Sequence, residues 1–172
     1  MNTHYLTQIL YLLVVIMISI VSLPLIVVFS LLIILTSGFP VFFRQIRIGK
    51  NGKKFVMVKF RSMHNGADVM QPALLDQNEA NGPVFKIHND PRFTRIGAFL
   101  NHTGIDELPQ LYNVLRGDMA LIGPRPLPAA EAKRLKPWMR AREIVLPGII
   151  SPAILSGTYH KDFTSWMRSD VV

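Results

Sequence analysis

Cysteine is absent from the 172 residues, which excludes disulfides, thiol catalysis and thiolate-held metals. Acids are scarce, with 11 Asp and Glu against 19 Lys and Arg, and the net charge is +8. Such a balance suits an anionic partner, either nucleic acid or lipid headgroups. Nucleic acid is the weaker reading, because the chain has no helix-turn-helix signal, no zinc-finger spacing and no aromatic RNP-like run. His64, His88, His102 and His160 stand at no spacing that would hold a metal ion. The largest lack is of charge itself. Residues 1–43 contain no Lys, Arg, Asp or Glu, and every charged side chain lies from Arg44 onward. This segregation predicts a membrane element over residues 1–37 and a surface-bound domain over residues 38–172.

Ile9 to Leu35 is apolar apart from Ser19, Ser22, Pro24 and Ser30. At about 1.5 Å per residue it is long enough to cross a hydrocarbon core of about 30 Å. It is too long for a signal-peptide core and has no basic flank before it. Pro24 lacks an N–H and its ring crowds the Ile20 carbonyl, which predicts a kink or break. A kinked spanning helix and a re-entrant helix-break-helix both satisfy this pattern. Arg44, Arg47, Lys50, Lys53 and Lys54 place the C-terminal flank on the cytoplasmic side.

Beyond Gly38 and Pro40, the β-prone runs Val41 to Ile48 and Phe55 to Phe60 flank the turn residues Gly49-Lys50-Asn51-Gly52, which predicts a β-hairpin. Lys59 and Arg61 share one face by period-2 alternation. They can hold an anion or form a half-exposed basic edge. Residues 64–82 read as a surface helix and loop, and Pro83 to Ile87 as a short strand. Asn89 to Arg92 reads as a turn, and Ile96 to Leu100, after Arg92 and Arg95, as a helix. Ala129 to Val145 is basic, helix-prone and interrupted by Pro137. With Trp138 it suits an interfacial amphipathic helix, and Phe163, Trp166 and Met167 suit the interface again.

The chemistry concentrates in Asp106 and Glu107. Pro109 would damage a helix already under way at Thr103, but it is harmless in a first turn that begins near Asp106. That register gives an apolar stripe of Leu108, Leu111, Tyr112 and Leu115, ended by Gly117. Helix capping needs only one of the two acids. Two adjacent carboxylates can share Mg²⁺ with a phosphate, and Arg125, framed by Pro124 and Pro126, can stabilise charge on phosphorus oxygens. The pattern implies phosphoryl transfer, with one carboxylate as nucleophile or base.

Residues 40–151 resemble the bacterial sugar transferases, the monotopic phosphoglycosyl transferases. The resemblance rests on Val58-Lys59-Phe60-Arg61-Ser62-Met63, on Gly82 to Lys86 with Asn89 to Arg92, and on the run DELPQLYNVLRGDMALIGPRP from Asp106 to Pro126. Arg142, Val145 and Pro147-Gly148-Ile149 resemble the closing motif. The resemblance implies an α+β protein: a re-entrant N-terminal membrane helix, a β-hairpin and a small mixed catalytic domain with interfacial helices. It implies transfer of a sugar-1-phosphate from a UDP-sugar to a polyprenyl phosphate at the cytoplasmic face of the bacterial inner membrane, starting a surface glycan. Mg²⁺ would be held by Asp106 and Glu107. Asp106 would be the nucleophile that forms a phosphosugar-enzyme intermediate, and Glu107 would assist with metal or proton. Arg125 and Lys59 would hold phosphate, with Arg61, Arg95 and Arg142 as further candidates. Membrane lipid is an expected partner, nucleic acid is not, and a homo-oligomer is left open.

The chain departs from the family pattern at Asn101 and Thr158, where Arg is usual, at Gly104, where Ser is usual, and between Ile150 and Thr158, where an apolar residue replaces the usual Gln. A second reading follows from these losses: a catalytically impaired homologue that binds lipid phosphate or a partner protein.

Overall fold

The computed structural model describes residues 3–80, 82–158 and 162–171, so His160 lies outside the described residues. A 35-residue helix, α1 (Thr3–Ser37), comes first. Its assignment continues through Pro24 without interruption. Side-chain hydroxyls are turned back onto the helix: Ser22 donates to the carbonyls of Ile18 and Ser19, and Ser30 to that of Ile26. Polar groups are thereby satisfied inside an apolar helix. The less exposed positions Val15, Ser19, Ser22, Ile26, Phe29 and Ile33 recur every three or four residues. They form one seam toward the rest of the chain.

The hairpin forms as expected. Strand β1 (Phe42–Ile48) pairs antiparallel with β2 (Lys54–Phe60), with Phe42 opposite Phe60 and Ile48 opposite Lys54. After a short helix α2 (Ala67–Met70), a 3₁₀ turn (Gln71–Gln77) leads into a loop. Pro83 to Ile87 is not a strand. The Asn78 amide organises it instead, accepting from Lys86 N and donating to Val84 O. Helix α3 (Arg95–Thr103) follows, capped by Thr94, whose hydroxyl accepts from Gly97 N. Gly97 approaches the Ser62 carbonyl so closely that a Cβ would overlap it, and this seats α3 on the end of β2.

α3 ends at Gly104, which adopts φ +74°. A 3₁₀ turn (Ile105–Gln110) then runs into α4 (Leu111–Leu115). Asp106 does fall in a first turn, and Thr103 is the last residue of α3 rather than a cap. The predicted apolar stripe is out of phase, however. Leu111 and Val114 are buried, while Tyr112 and Leu115 are exposed. A 3₁₀ turn winds three residues per turn, so a face counted from Leu108 at 100° per residue loses register before α4 begins.

Strand β3 (Ala120–Ile122) pairs in parallel with β4 (Gly148–Ile150). Between them, the basic segment expected to be interrupted at Pro137 forms α5 (Ala129–Ala132) and, from Pro137, a 3₁₀ turn (Pro137–Ile144). α6 (Pro152–Leu155) and α7 (Phe163–Val171) end the described chain. Phe163, Trp166 and Met167 are buried with Leu127, Leu135, Met139 and Ala153. They are core residues rather than interfacial ones, because α7 packs on α6 and on the 3₁₀ turn Pro137–Ile144. Two smaller clusters join α1 to the domain. Val15 packs with Met57, Val114 and Met119, and Ile33 packs with Val41, Phe60 and Leu100.

Candidate active site

Gly104 turns the chain so that Asp106 points beneath β2, where only 2% of the residue is exposed. Lys59, near the end of β2, brings Nζ to 3.5 Å from Asp106 Oδ2 and also sits 5.8 Å from the centre of the Phe43 ring. Burial pushes the Asp106 carboxyl above its ordinary range, against the pull of Lys59. Burial likewise pushes the Lys59 ammonium down, against the pull of Asp106. The result is a nucleophile candidate with little water around it and one cation facing it.

The second acid faces a different cation. Arg125 Nη1 donates to Glu107 Oε1 at 2.7 Å. The arginine's backbone is held at several points. Gly123 N donates to Ile150 O and Gly148 N to Pro124 O, each at 3.0 Å. A Cβ on either glycine would collide with the opposing backbone, so the close approach of β3 to β4 requires both. Arg47 Nη1 donates to Pro126 O at 2.8 Å, and Arg142 Nη2 donates to the Arg125 carbonyl.

Of the seven candidate residues, the fold brings four together: Lys59, Asp106, Glu107 and Arg125. The other three lie on different partners. Arg61 shares a strand face with Lys59, yet its guanidinium donates to the carbonyls of Ser37, Gly38 and Phe39 and to Asn65 Oδ1. It caps the end of α1, whose last carbonyls have no intrahelical partner. Arg142 is buried and pairs with Asp170 at 2.6 Å. It supports Arg125 through the backbone. Arg95 is exposed at the start of α3.

Residues that the motifs did not single out complete the frame. Asn113 is fully buried; its Oδ1 accepts from Val58 N and its Nδ2 donates to Val56 O. It acts as a side-chain partner for the free edge of β2 and fixes α4, and hence the acid turn, against Lys59. Its signal in the sequence was a lone amide between Leu111 and Val114. Asp170 accepts from both Arg142 and Trp166 Nε1. Its signal was an acid four residues after Trp166 on an otherwise apolar helix face.

Comparison with known proteins identifies the family. The bacterial sugar transferase family matches residues 2–172. The chain belongs to the bacterial sugar transferase family. Among curated relatives, a galactosyl transferase CpsE of Streptococcus agalactiae serotype III is 42% identical over 135 residues, covering 78% of this chain and 30% of the relative. An undecaprenyl-phosphate galactose phosphotransferase of Salmonella typhimurium is 38% identical over 142 residues, covering 77% of this chain and 29% of the relative. A UDP-glucose:undecaprenyl-phosphate glucose-1-phosphate transferase of Xanthomonas campestris pv. campestris is 37% identical over 142 residues, covering 78% and 26%. The chain thus spans under a third of the length of these relatives. As a family member it places the acids of the DELPQLYNVLRGD run and the GPRP arginine at one site.

The donor set also bears on Mg²⁺. Among the described residues no group of three His, Cys, Asp or Glu could form a protein cage for a metal. Two adjacent carboxylates fit Mg²⁺ in its more usual manner, shared with waters and substrate phosphate oxygens.

Proposed function

We propose that this chain transfers a sugar-1-phosphate from a UDP-sugar to a polyprenyl phosphate, initiating a surface glycan, by way of a covalent intermediate on Asp106. The observation that carries this reading is the buried Asp106 facing Lys59 at 3.5 Å, next to Glu107 held by Arg125 at 2.7 Å. An Asp106 carboxylate oxygen attacks the phosphorus that bears the sugar. The bond from that phosphorus to the bridging oxygen breaks, and UMP leaves with the electron pair. A phosphate oxygen of the polyprenyl phosphate then attacks the same phosphorus and expels the Asp106 carboxylate, giving the polyprenyl diphosphosugar. Lys59 keeps Asp106 ionised against its burial and stabilises it again as the leaving group. Arg125, fixed by its backbone, neutralises charge on the non-bridging oxygens. Asp106 and Glu107 would hold Mg²⁺, which when bound supplies further neutralisation of the diphosphate. The relatives' names, which cite undecaprenyl phosphate and UDP-glucose, support this substrate pair.

The same reading includes membrane placement. α1 is long and apolar enough to cross a bilayer. Its contacts favour entry and exit by one face. The Tyr11 hydroxyl accepts from Leu121 N at 3.0 Å, and Val15 and Ile33 both pack on the catalytic domain from opposite sides of Pro24. Val15 and Ile33 are about 27 Å apart along a helix at 1.5 Å per residue, close to the thickness of the hydrocarbon core. An upright spanning helix would carry β3, and the Arg125 loop after it, across the membrane with their charges. A re-entrant α1 that bends at Pro24 within its continuous helical run, keeping both ends at the cytoplasmic face of the inner membrane, avoids that cost.

The deciding experiment incubates the purified full chain with polyprenyl phosphate, Mg²⁺ and a panel of UDP-sugars and follows UMP. Release by wild type, and none by Asp106→Asn, supports the enzyme. Equal release by Asp106→Asn would sink the covalent route. No release with any sugar favours the impaired-homologue reading for the sugars tried. For topology, a Thr3→Cys variant should react with a membrane-impermeant thiol reagent only in inside-out vesicles, and labelling from the periplasmic side would exclude the re-entrant form.

A further inference from the structure

A cleft of ≈ 770 Å³ opens where α1 ends, away from the acid pair. Its wall is made by Thr36 and Ser37 of α1, by Arg61, His64 and Asn65 after β2, and by the start of α3 with Arg95. Among the described residues its lining contains no carboxylate. Arg61 is buried, and its Nε–H has no acceptor in the structure, although its other nitrogens cap α1. Arg95 is exposed and makes no ion pair among the described residues. The polar and cationic groups therefore converge from three segments without a matching anion.

The surroundings add an apolar arm. Phe99 lies one helical turn after Arg95 on the same side of α3. It is half exposed, and its ring centre is 6.4 Å from that of Phe29 on α1. Phe29 stands about 12 Å back along α1 from Ser37, at 1.5 Å per residue. α3 thus runs alongside the last turns of α1 with its cation at the polar end and its aromatic toward the apolar stretch. Leu32, Leu35 and Phe39, all exposed, border the same end of α1. A basic rim over an apolar wall matches a ligand with an anionic head and hydrocarbon tails.

We propose that this cleft binds the phosphate headgroup of an anionic bilayer phospholipid, with Arg95 as its principal contact and Phe99 against the acyl chain. The inference rests on α1 being membrane-embedded, as proposed above, but not on catalysis. Arg95 opens α3, whereas Asp106 lies in the 3₁₀ turn beyond its other end, and none of Lys59, Asp106, Glu107 or Arg125 lines the cleft, so a headgroup seated here is not the reacting phosphate. The absence of carboxylates disfavours headgroups that carry an ammonium group. The bound lipid would fix the depth of α1 relative to the acid turn that follows α3.

Native mass spectrometry of the full chain, released from neutral detergent, tests this without turnover. The probes are dioctanoyl phosphatidylglycerol, dioctanoyl phosphatidylcholine and inorganic phosphate. Wild type should retain one phosphatidylglycerol. Arg95→Gln should weaken that adduct by about tenfold or more, the loss expected for a charged hydrogen bond. Arg95→Lys should recover part of it, and all three proteins should melt together, because Arg95 is a surface residue. Equal retention by Arg95→Gln, equal retention of phosphatidylcholine, or displacement of the lipid by inorganic phosphate would each overturn the assignment. Because no UDP-sugar is present, failure here leaves the transferase reading standing, and loss of UMP release leaves this one standing.

Discussion

Replacing Asp170 by Asn removes one charge from a site with almost no access to water. The side chains of Arg142 and Asp170 are 4% and 0% exposed and pair at 2.6 Å. Burial pushes the Asp170 carboxyl up and the Arg142 guanidinium down, and their attraction opposes both shifts. Asn keeps the volume and can still accept from Trp166 Nε1, which donates to Asp170 at 2.8 Å. The guanidinium is then left buried without its counter-charge. Breaking one side of such a pair costs about 3–5 kcal/mol. For a chain of this size each kcal/mol moves the melting temperature by about 2–4 °C, so the expected drop is roughly 6–20 °C. Circular dichroism melting in detergent measures it. The double variant Arg142→Met with Asp170→Leu should recover much of the loss, because an apolar pair leaves no charge stranded. Arg142 also holds the Arg125 carbonyl. Asp170→Asn should therefore lower kcat for UMP release even at temperatures where the protein is folded. A melting shift under about 2 °C, or a double variant worse than Asp170→Asn, would refute the reasoning.

Three other outcomes are expected. The rate of UMP release should rise with pH as Asp106 ionises, with a midpoint above the ordinary 3.8, and fall as Lys59 deprotonates below the ordinary 10.5, since burial moves the two groups inward; Lys59→Arg should push the alkaline limb outward, and an acid limb at or below 3.8 would contradict the burial argument. Asn113→Ala should destabilise the fold by about 1–3 kcal/mol, because Val58 N and Val56 O lose their partner; an unchanged urea midpoint would show that the β2 edge does not depend on it. EDTA should abolish UMP release and Mg²⁺ restore it, with Glu107→Gln raising the Mg²⁺ concentration needed; release unaffected by EDTA would remove the metal from the mechanism.

The hairpin, α3, the acid turn and the Arg125 loop were all legible because each is encoded locally. Turn residues set the hairpin, Pro109 placed the acids in a first turn, and two prolines framed the arginine. The destination of a cation was not legible. Lys59 and Arg61 look alike in sequence, two residues apart on one strand face. One meets Asp106, and the other meets carbonyls at residues 37–39. The distinguishing need lay elsewhere: a charge-free helix must have its terminal carbonyls satisfied from outside itself, and Arg61 answers it. Arg142 likewise meets a partner that local sequence does not reveal, Asp170, 28 residues further on. The departures from the family pattern look different once placed. Thr158 bonds Ser169 and the Ala153 carbonyl, joining α6 to α7. The Asn101 carbonyl accepts from Gly104 N at the end of α3. Among the described residues neither side chain forms a hydrogen bond or ion pair with Asp106 or Glu107, whose facing cations are Lys59 and Arg125. A cation lost at 101 or 158 therefore does not strip the acids of the partners they have.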